Sequence, residues 1–474
     1  MSDSSADSAN YHIAARIERL PISPWHVKIG VVVCTGFFFD AFDIQTLAFA
    51  LPVLVGLWHL SPGAIGSVIS IGFVGQMFGA LIFGWLAERV GRVPSAIATV
   101  LLFALMSLAC AFAWDLTSMM VLRFIQGLGL GGAVPVFATY IGELANSGRR
   151  GRFVLCYQCA FSIGLPLTAW TANWVVPHFG WQWMFVIGAL PALVVLPLAR
   201  LLPESPRWLA NHGRAEEADM VLRRIERIIS ADGARPLPPV PLDLPPVPRN
   251  DTRIGDLFRG IYLKRTLTVW VLWFSTYVII YGLLTWMPTI WRTVYHMSIA
   301  DALSYQSIYQ LVAAPGFLLT IFLIDGIGRR RMFLLGLGVG SVIMLTLAMI
   351  GEPAPVTVLI MLSFSQLFVG MLALALSTYT AELYPTELRA LGNGVGNAWL
   401  RLGGTAGPAF IGVVLPLYGL QGIFLSFGVL LLIGTVVCAL FAIETRGRVL
   451  EHLSPSLLRV PGDAPAPDLA FGRK

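Results

Sequence analysis

Four ionisable side chains in this sequence stand where water should be scarce. Asp40 and Asp43 sit inside the first long apolar run, roughly 27–57, just after Phe37, Phe38 and Phe39. Arg123 and Arg401 sit inside two later apolar runs. A charged group at membrane depth costs about 2.5–3.5 kcal/mol on insertion scales, so such groups are rare and usually functional. Three residues apart on a helix, the two aspartates share a face. That face must look into protein or a water-filled cavity. A carboxylate with a movable cationic partner can take up and release a proton as its surroundings change. At 1.5 Å per residue, Asp43 lies ~24 Å into its run and Arg123 ~9 Å from the opposite end of its own. In a core of about 30 Å these depths nearly coincide. Asp43 and Arg123, with Asp40 beside them, are therefore the candidate proton-coupling set. Arg401 lies ~15 Å into its run, near the midplane. Its guanidinium fork suits a carboxylate, which makes it the candidate substrate anchor.

The elements that must position these groups follow from composition. Of 474 residues, 56% are hydrophobic and 12% charged, against roughly 25% charged in a soluble domain. Mean hydropathy is +0.75. A membrane helix needs about 20 mostly apolar residues, and twelve such runs can be counted. Basic residues fall at alternate gaps between them, including Arg89, Arg92, Arg149, Arg150, Arg152, Arg329, Arg330, Arg331 and Arg389. Of the intervening gaps, only the one with Arg292 holds a Lys or Arg. This positive-inside pattern places both termini in the cytoplasm. The net charge of +6 is thereby spent on topology and does not point to nucleic acid. The N-terminus shows no signal-peptide pattern. Cys34, Cys110, Cys156, Cys159 and Cys438 lie in apolar runs, so no disulfide framework is expected.

The runs divide into two halves. Segment 1–26 is a cytoplasmic N-terminal stretch and 27–202 a first six-helix bundle. Segment 203–265 is a cytoplasmic linker with an amphipathic basic helix, Arg214 to Ser230, and a proline-rich stretch, Pro236 to Pro248. Segment 266–442 is a second six-helix bundle and 443–474 a cytoplasmic tail. Gly84-Trp-Leu-Ala-Glu88-Arg89-Val-Gly91-Arg92 recurs as Ile321-Phe-Leu-Ile-Asp325-Gly326-Ile-Gly328-Arg329, 237 residues later. Thr139-Tyr140-Ile-Gly-Glu143 recurs as Thr378-Tyr379-Thr-Ala-Glu382, 239 residues later. Two motifs at nearly one offset indicate internal duplication. The expected fold is an all-α membrane protein: twelve transmembrane helices in two pseudo-symmetric six-helix bundles.

Further candidates for substrate contact are aromatic or polar side chains inside the spans. Trp273, Tyr277 and Tyr281 step by four along the seventh run. Trp286 precedes Pro288, where that helix could bend as an outer gate. Phe39 adjoins the first-helix acids. Gln158, Gln310, Gln366 and Asn397 are polar in otherwise apolar spans. Glu88, Arg89, Arg92, Glu143 and Arg150, with Asp325, Arg329, Glu382 and Arg389 in the second half, form charged clusters at helix ends. Such clusters would hold the halves together in one state and part in the other.

These motifs resemble the major facilitator superfamily along essentially the whole chain. The acid-Arg-x-Gly-Arg loop after the second helix is its most specific signature, and the second copy is degenerate. Arg123-Phe-x-Gln126-Gly127-x-Gly129, Pro203-Glu204-Ser205-Pro206-Arg207-Trp208 and Glu382-Leu-Tyr-Pro385-Thr-Glu-Leu-Arg389 are similar to the sugar-porter and organic-ion branch. Phe39-Asp40-Ala-Phe42-Asp43, Lys264-Arg265-Thr266 and Tyr281-Gly282 to Pro288 resemble bacterial niacin transporters and, less closely, aromatic-acid/proton symporters. Ala41 stands where the latter usually have Gly. Arg401-Leu-Gly403-Gly404-x-x-x-Pro408 resembles the organic-anion carriers. The resemblance implies a proton-coupled importer of niacin, as nicotinate or nicotinamide, in a bacterial inner membrane, working as a monomer without cofactors. It also implies an Asp–Arg pair like that of proton-coupled sugar porters.

The alternatives left open are a benzoate-type or hydroxybenzoate-type acid symporter, a ligand-sensing receptor on a transporter scaffold, and drug efflux. The partners expected are a small aromatic carboxylate or amide, protons and the lipid bilayer. Enzymatic motifs are absent from the sequence. Gly127-x-Gly129-x-Gly131-Gly132 follows no strand and reads as close helix packing. The scattered histidines suggest no metal site.

Overall fold

A computed structural model of the chain describes the backbone of residues 3–21, 23–144, 146, 150–193, 202–233, 237–241 and 253–448. It describes their side chains except those of 3–10, 150–159, 231–233, 318 and 386. The helices are α1 (Asp3–Glu18), α2 (Pro24–Trp58), α3 (Pro62–Arg89), α4 (Arg92–Cys110), α5 (Leu116–Leu144), α6 (Arg150–Phe179) and α7 (Gln182–Gly188). They continue with α8 (Pro206–Asn211), α9 (Ala215–Gly233), α10 (Ile261–Thr293), α11 (Ile299–Ile327), α12 (Arg329–Ile350), α13 (Pro355–Leu383) and α14 (Thr386–Phe441). No strand occurs among the described residues. That is the expected outcome in lipid, where each spanning segment must satisfy its own backbone groups.

Seven described helices, α3, α4, α5, α10, α12, α13 and α14, are long and apolar enough to cross a bilayer. Helix α11 is an eighth if its 41° bend counts as one span. Helices α2 and α6, at 35 and 30 residues, also have the length. Helix α14 runs 56 residues but breaks at Gly419, where φ is +62°. It therefore supplies two spans. The expected sixth span is described only over residues 182–193, and its remainder lies outside the described residues. Most of the Pro236 to Pro248 stretch also lies outside them.

Helices α2 to α7 form one bundle and α10 to α14 the other. The bundles meet along α3–α14, α6–α11 and α2–α10. One side of the molecule carries Arg89, Arg92, Arg329 and Arg389 and is called the basic side. The far side carries the α2–α3 and α10–α11 turns, where Ser61 and Ser298 accept hydrogen bonds from the amides of Ala64 and Asp301.

The far side is shut. Every residue of α2 from Asp40 to Pro52 is buried, and so is every residue of α10 from Ser275 to Trp291. A helix buried all round for that length is enclosed by both bundles. Across the bundles, Ser70 Oγ donates to the Thr405 carbonyl at 2.7 Å; within the second bundle, the Trp286 indole N–H donates to the Pro408 carbonyl at 3.0 Å. Gly66 and Gly412 face each other so closely that a Cβ on Gly66 would stand 2.9 Å from the Pro408 carbonyl oxygen. Toward the basic side the same two helices regain an exposed face, at Val27, Lys28 and Val31 and at Leu263, Lys264 and Leu267. The molecule is thus closed at the far side.

Below the first bundle, α1, α8 and α9 form a layer of their own. Ile13, Ile17, Leu20, Trp208, Leu222 and Ile225 make its apolar core, which continues onto Tyr140 of α5. Helix α9, the amphipathic basic helix expected in the linker, packs beneath the bundle. Arg16 holds Glu226 at 2.7 Å and Asp219 at 2.5 Å, and Arg19 holds Glu226 at 2.7 Å. Burial works against the charge on Glu226. The hydrogen bonds from Arg16 and Arg19 outweigh it, and the carboxyl ends below its ordinary range.

A group depressed in this way stabilises docking fully above its unfolded pKa, and that gain fades as pH falls through the folded value. Protection of residues 11–20 from hydrogen exchange should therefore hold at pH 7 and be lost below the carboxylate range. Glu226→Gln should weaken docking by about 1–3 kcal/mol at pH 7. Unchanged exchange in that variant would show that the apolar contacts alone hold α1.

Candidate functional site

Helix α2 brings Asp43 against α5. Arg123 Nη1 donates to Asp43 Oδ2 at 2.8 Å and to Gln126 Oε1 at 2.8 Å, and Gln126 Nε2 donates to Asp43 Oδ1 at 2.5 Å. Asp43 is 1% exposed, Arg123 5% and Gln126 0%. Both carboxylate oxygens are engaged by donors, so the trio is a closed set in which the acid serves as acceptor only. Gly72 on α3 makes room for it, since a Cβ there would touch the guanidinium at 3.4 Å. The glycines of α5 act as expected. A Cβ on Gly127 or Gly131 would run into the backbone of α3 at Gly72 and Gln76. A small enclosed void beside the trio is lined by Ile69, Phe73, Gln76, Arg123 and Thr285 among others.

Asp40 looks the other way. It is 6% exposed, its Oδ1 has no hydrogen-bond partner, and it lies in the field of Arg401 on α14 and of Asp43. Tyr277 and Tyr281 on α10 also lie in the field of Arg401. The half-buried Arg401 guanidinium has no hydrogen-bond or ion-pair partner among the described residues. The two aspartates thus join Arg123 in one bundle to Arg401 in the other.

The aromatic stripe is a stack. Ring centroids of Trp273 and Tyr277 are 5.4 Å apart, and those of Tyr277 and Tyr281 are 5.8 Å apart. Phe73 of the other bundle closes the stack on Tyr281 at 4.9 Å. Gln310 and Gln366 are 2% and 3% exposed, and both polar atoms of Gln310 and Oε1 of Gln366 lack partners. Asn397 is exposed on α14, and its amide donates to the Asn393 carbonyl. Two residues are not brought to Arg401. Phe39 packs with Phe38 and Phe42 inside the first bundle. Trp286 is fully buried, its indole N–H bonded to the Pro408 carbonyl of its own bundle. The Gln158 side chain, like that of Arg150, lies outside the described residues.

The charged clusters at the basic side each close within one bundle. Arg92 bridges Glu88 at 2.9 Å and Glu143 at 2.7 Å, and Arg329 bridges Asp325 at 2.9 Å and Glu382 at 2.8 Å. Arg89 lies over the Trp85 ring, and Arg389 donates to the Ala381 carbonyl at 2.9 Å. Each cluster contains an acid that the sequence reading missed. Glu204 accepts the amides of Arg92 and Val93 at the start of α4, and Glu444 accepts the Arg329 amide at the start of α12. Carboxylates suit helix N-termini, where amides are free. Gly91 and Gly328, at φ +120° and +93°, leave the space these carboxylates occupy. Glu444 stands 240 residues after Glu204, which continues the offsets already found. That spacing was the available signal.

Comparison with known proteins agrees with this architecture. The family model described as sugar (and other) transporter matches residues 59–457. The niacin transporter NiaP of Acinetobacter baylyi is 33% identical over 443 residues, covering 93% of this chain and 99% of that protein. The gallate transporter of Pseudomonas putida is 30% identical over 456 residues, covering 93% and 96%. The xylose transporter XylE of E. coli, in a partially occluded inward-open conformation, superposes with a TM-score of 0.68 at 20% identity, covering 90% and 100%.

Gln126 is the joint of the buried trio. Gln126→Leu should leave Asp43 Oδ1 without its donor and lower stability by about 1–3 kcal/mol, read as the midpoint of unfolding in detergent. An unaltered midpoint would mean that the amide is not holding the pair.

Proposed function

The chain belongs to the sugar (and other) transporter family of the major facilitator superfamily, and on that premise we propose that it imports a small aromatic carboxylate with protons across a bacterial inner membrane. Nicotinate is the leading substrate, and nicotinamide could reach the same guanidinium through its carbonyl oxygen. The observation that carries the reading is Arg401: a guanidinium near the midplane, unpaired among the described residues, beside stacked tyrosines and between two bundles. A carboxylate would supply the missing partner, and a ring could lie against the tyrosine faces. In this reading the basic side is the cytoplasm, and the structure stands in the inward-open state.

Coupling follows from the two aspartates. With Asp43 ionised, Arg123 and Gln126 hold it and the trio is neutral overall. A proton on Asp43 would remove its claim on the guanidinium and loosen α2 from α5. Asp40 stands between that event and Arg401, so protonation and substrate charge are felt through one helix. Alternating access would then carry proton and substrate together. A hydroxylated benzoate is the second reading. It is favoured by the free amides of Gln310 and Gln366, which could take phenolic hydroxyls. The gallate transporter among the relatives supports it as well.

Asp43→Asn should abolish concentrative uptake in proteoliposomes while counterflow exchange stays measurable; normal uphill uptake by that variant would remove the coupling assignment. Arg401→Gln should weaken nicotinate and benzoate at least tenfold and nicotinamide far less, read by thermal stabilisation of purified protein. Equal loss for acid and amide would make Arg401 a structural residue. Thermal shifts with hydroxybenzoates that exceed those with nicotinate would select the second reading.

A further inference from the structure

Outside the far-side seal lies an open cleft of about 420 Å³. Pro52, Val53, Val55, Gly56 and Leu57 of α2 form one wall, and Arg292, Thr293, His296 and Ile299 at the α10–α11 junction form the other. The volume falls in the range of small-molecule sites, about 300–1,000 Å³. One wall is apolar and the other holds two basic side chains. Arg292 is the only Lys or Arg in the far-side gaps of the sequence. Its guanidinium spends one nitrogen on the Met297 carbonyl at 2.7 Å, which fixes the side chain across the turn and leaves other donors free. His296 sits in the left-handed region at φ +55°, uncommon for a residue with a Cβ. That conformation is part of the turn that presents its ring at the cleft. No acidic residue lines the cleft among the described residues.

We propose that this cleft is a second binding site, on the outer face, for a small organic carboxylate, with Arg292 as its anchor and His296 as a further donor. The apolar wall of α2 takes the ring and the cationic wall takes the charge. The ligand class rests on the transport reading above; the site itself rests on the cleft. Its walls come from opposite bundles, and they stand together only while the far side is closed. A ligand that binds one conformation alone shifts the population toward it. An external carboxylate in the cleft therefore holds the carrier inward-open and slows its return to the outside. High external substrate should limit its own uptake.

The test uses the full chain in nanodiscs, with nicotinate and benzoate as probes and calorimetric titration as readout. Arg401→Gln weakens the central site and should leave one saturable, weaker site that takes both acids and ignores nicotinamide. Adding Arg292→Gln should weaken that residual site at least tenfold. Adding Thr293→Trp instead, which fills the cleft without touching its charge, should abolish it. Both double variants should unfold at the same temperature as Arg401→Gln without ligand. No residual site in Arg401→Gln, or one indifferent to both second changes, overturns the proposal. Full transport by Arg401→Gln, with the residual site intact, would overturn the transport reading and leave the outer site standing.

Discussion

A carboxylate and a guanidinium that share no water must neutralise each other. That constraint organises this molecule. Asp43 and Arg123 are buried on helices of the same bundle, and Gln126 completes the set by donating to one and accepting from the other. Breaking such a pair by removing one partner usually costs about 3–5 kcal/mol, because the other charge is left stranded. The glycines of α3 and α5 exist to bring those backbones close enough for the set to form. The remaining bundle, with Arg401, has no such internal partner among the described residues. One half pairs its charges internally, and the guanidinium of the other faces Asp40 across the bundles.

The two halves share a second device at the basic side. In each, a glycine with positive φ ends the connection between two spans, and a glutamate from a distant segment caps the helix that follows. An arginine then ties the same corner to the end of another span. The duplication has therefore preserved a corner joint. It differs at the entry, where Ile321 replaces Gly84 and Gly326 replaces Arg89. Each joint stiffens its own bundle, so each bundle can move as a body. This layout suits a carrier whose halves rock, since all ion pairs described at this side lie within one half.

Much of this was legible in the sequence, for physical reasons. Charges inside apolar runs are so costly that their depth alone paired Asp43 with Arg123. The duplication showed in the spacing of Gly91 and Gly328, 237 residues, and a search a few residues to either side of that offset would have found Glu204 and Glu444, 240 apart. Other features were not legible. Three-residue spacing put Asp40 and Asp43 on one face, yet the face is wide enough for them to address opposite bundles. Trp286 reads as a binding aromatic until the approach of α14 shows that its indole N–H is spent on the Pro408 carbonyl within its own bundle. Phe39 is similar, because helix rotation decides which phenylalanine faces the cavity. Helix α1 was not anticipated, although Ile13 and Ile17, one turn apart and followed by Leu20, mark a buried stripe. Such features depend on helix rotation and on contacts between distant segments, which periodicity alone does not fix.

The glycine contact between α3 and α14 has one further consequence. Gly66 and Gly412 meet backbone to backbone, with no side chains interlocked between them. Smooth surfaces can roll, whereas meshed ones must first disengage. Around that point the closure rests on an apolar core that both bundles share, with Phe73 against Tyr281, and the Ser70–Thr405 hydrogen bond adds about 0.5–1.5 kcal/mol net. At that point of contact the far-side closure is therefore a bearing and not a set of meshed teeth, and the halves can turn about it without first separating.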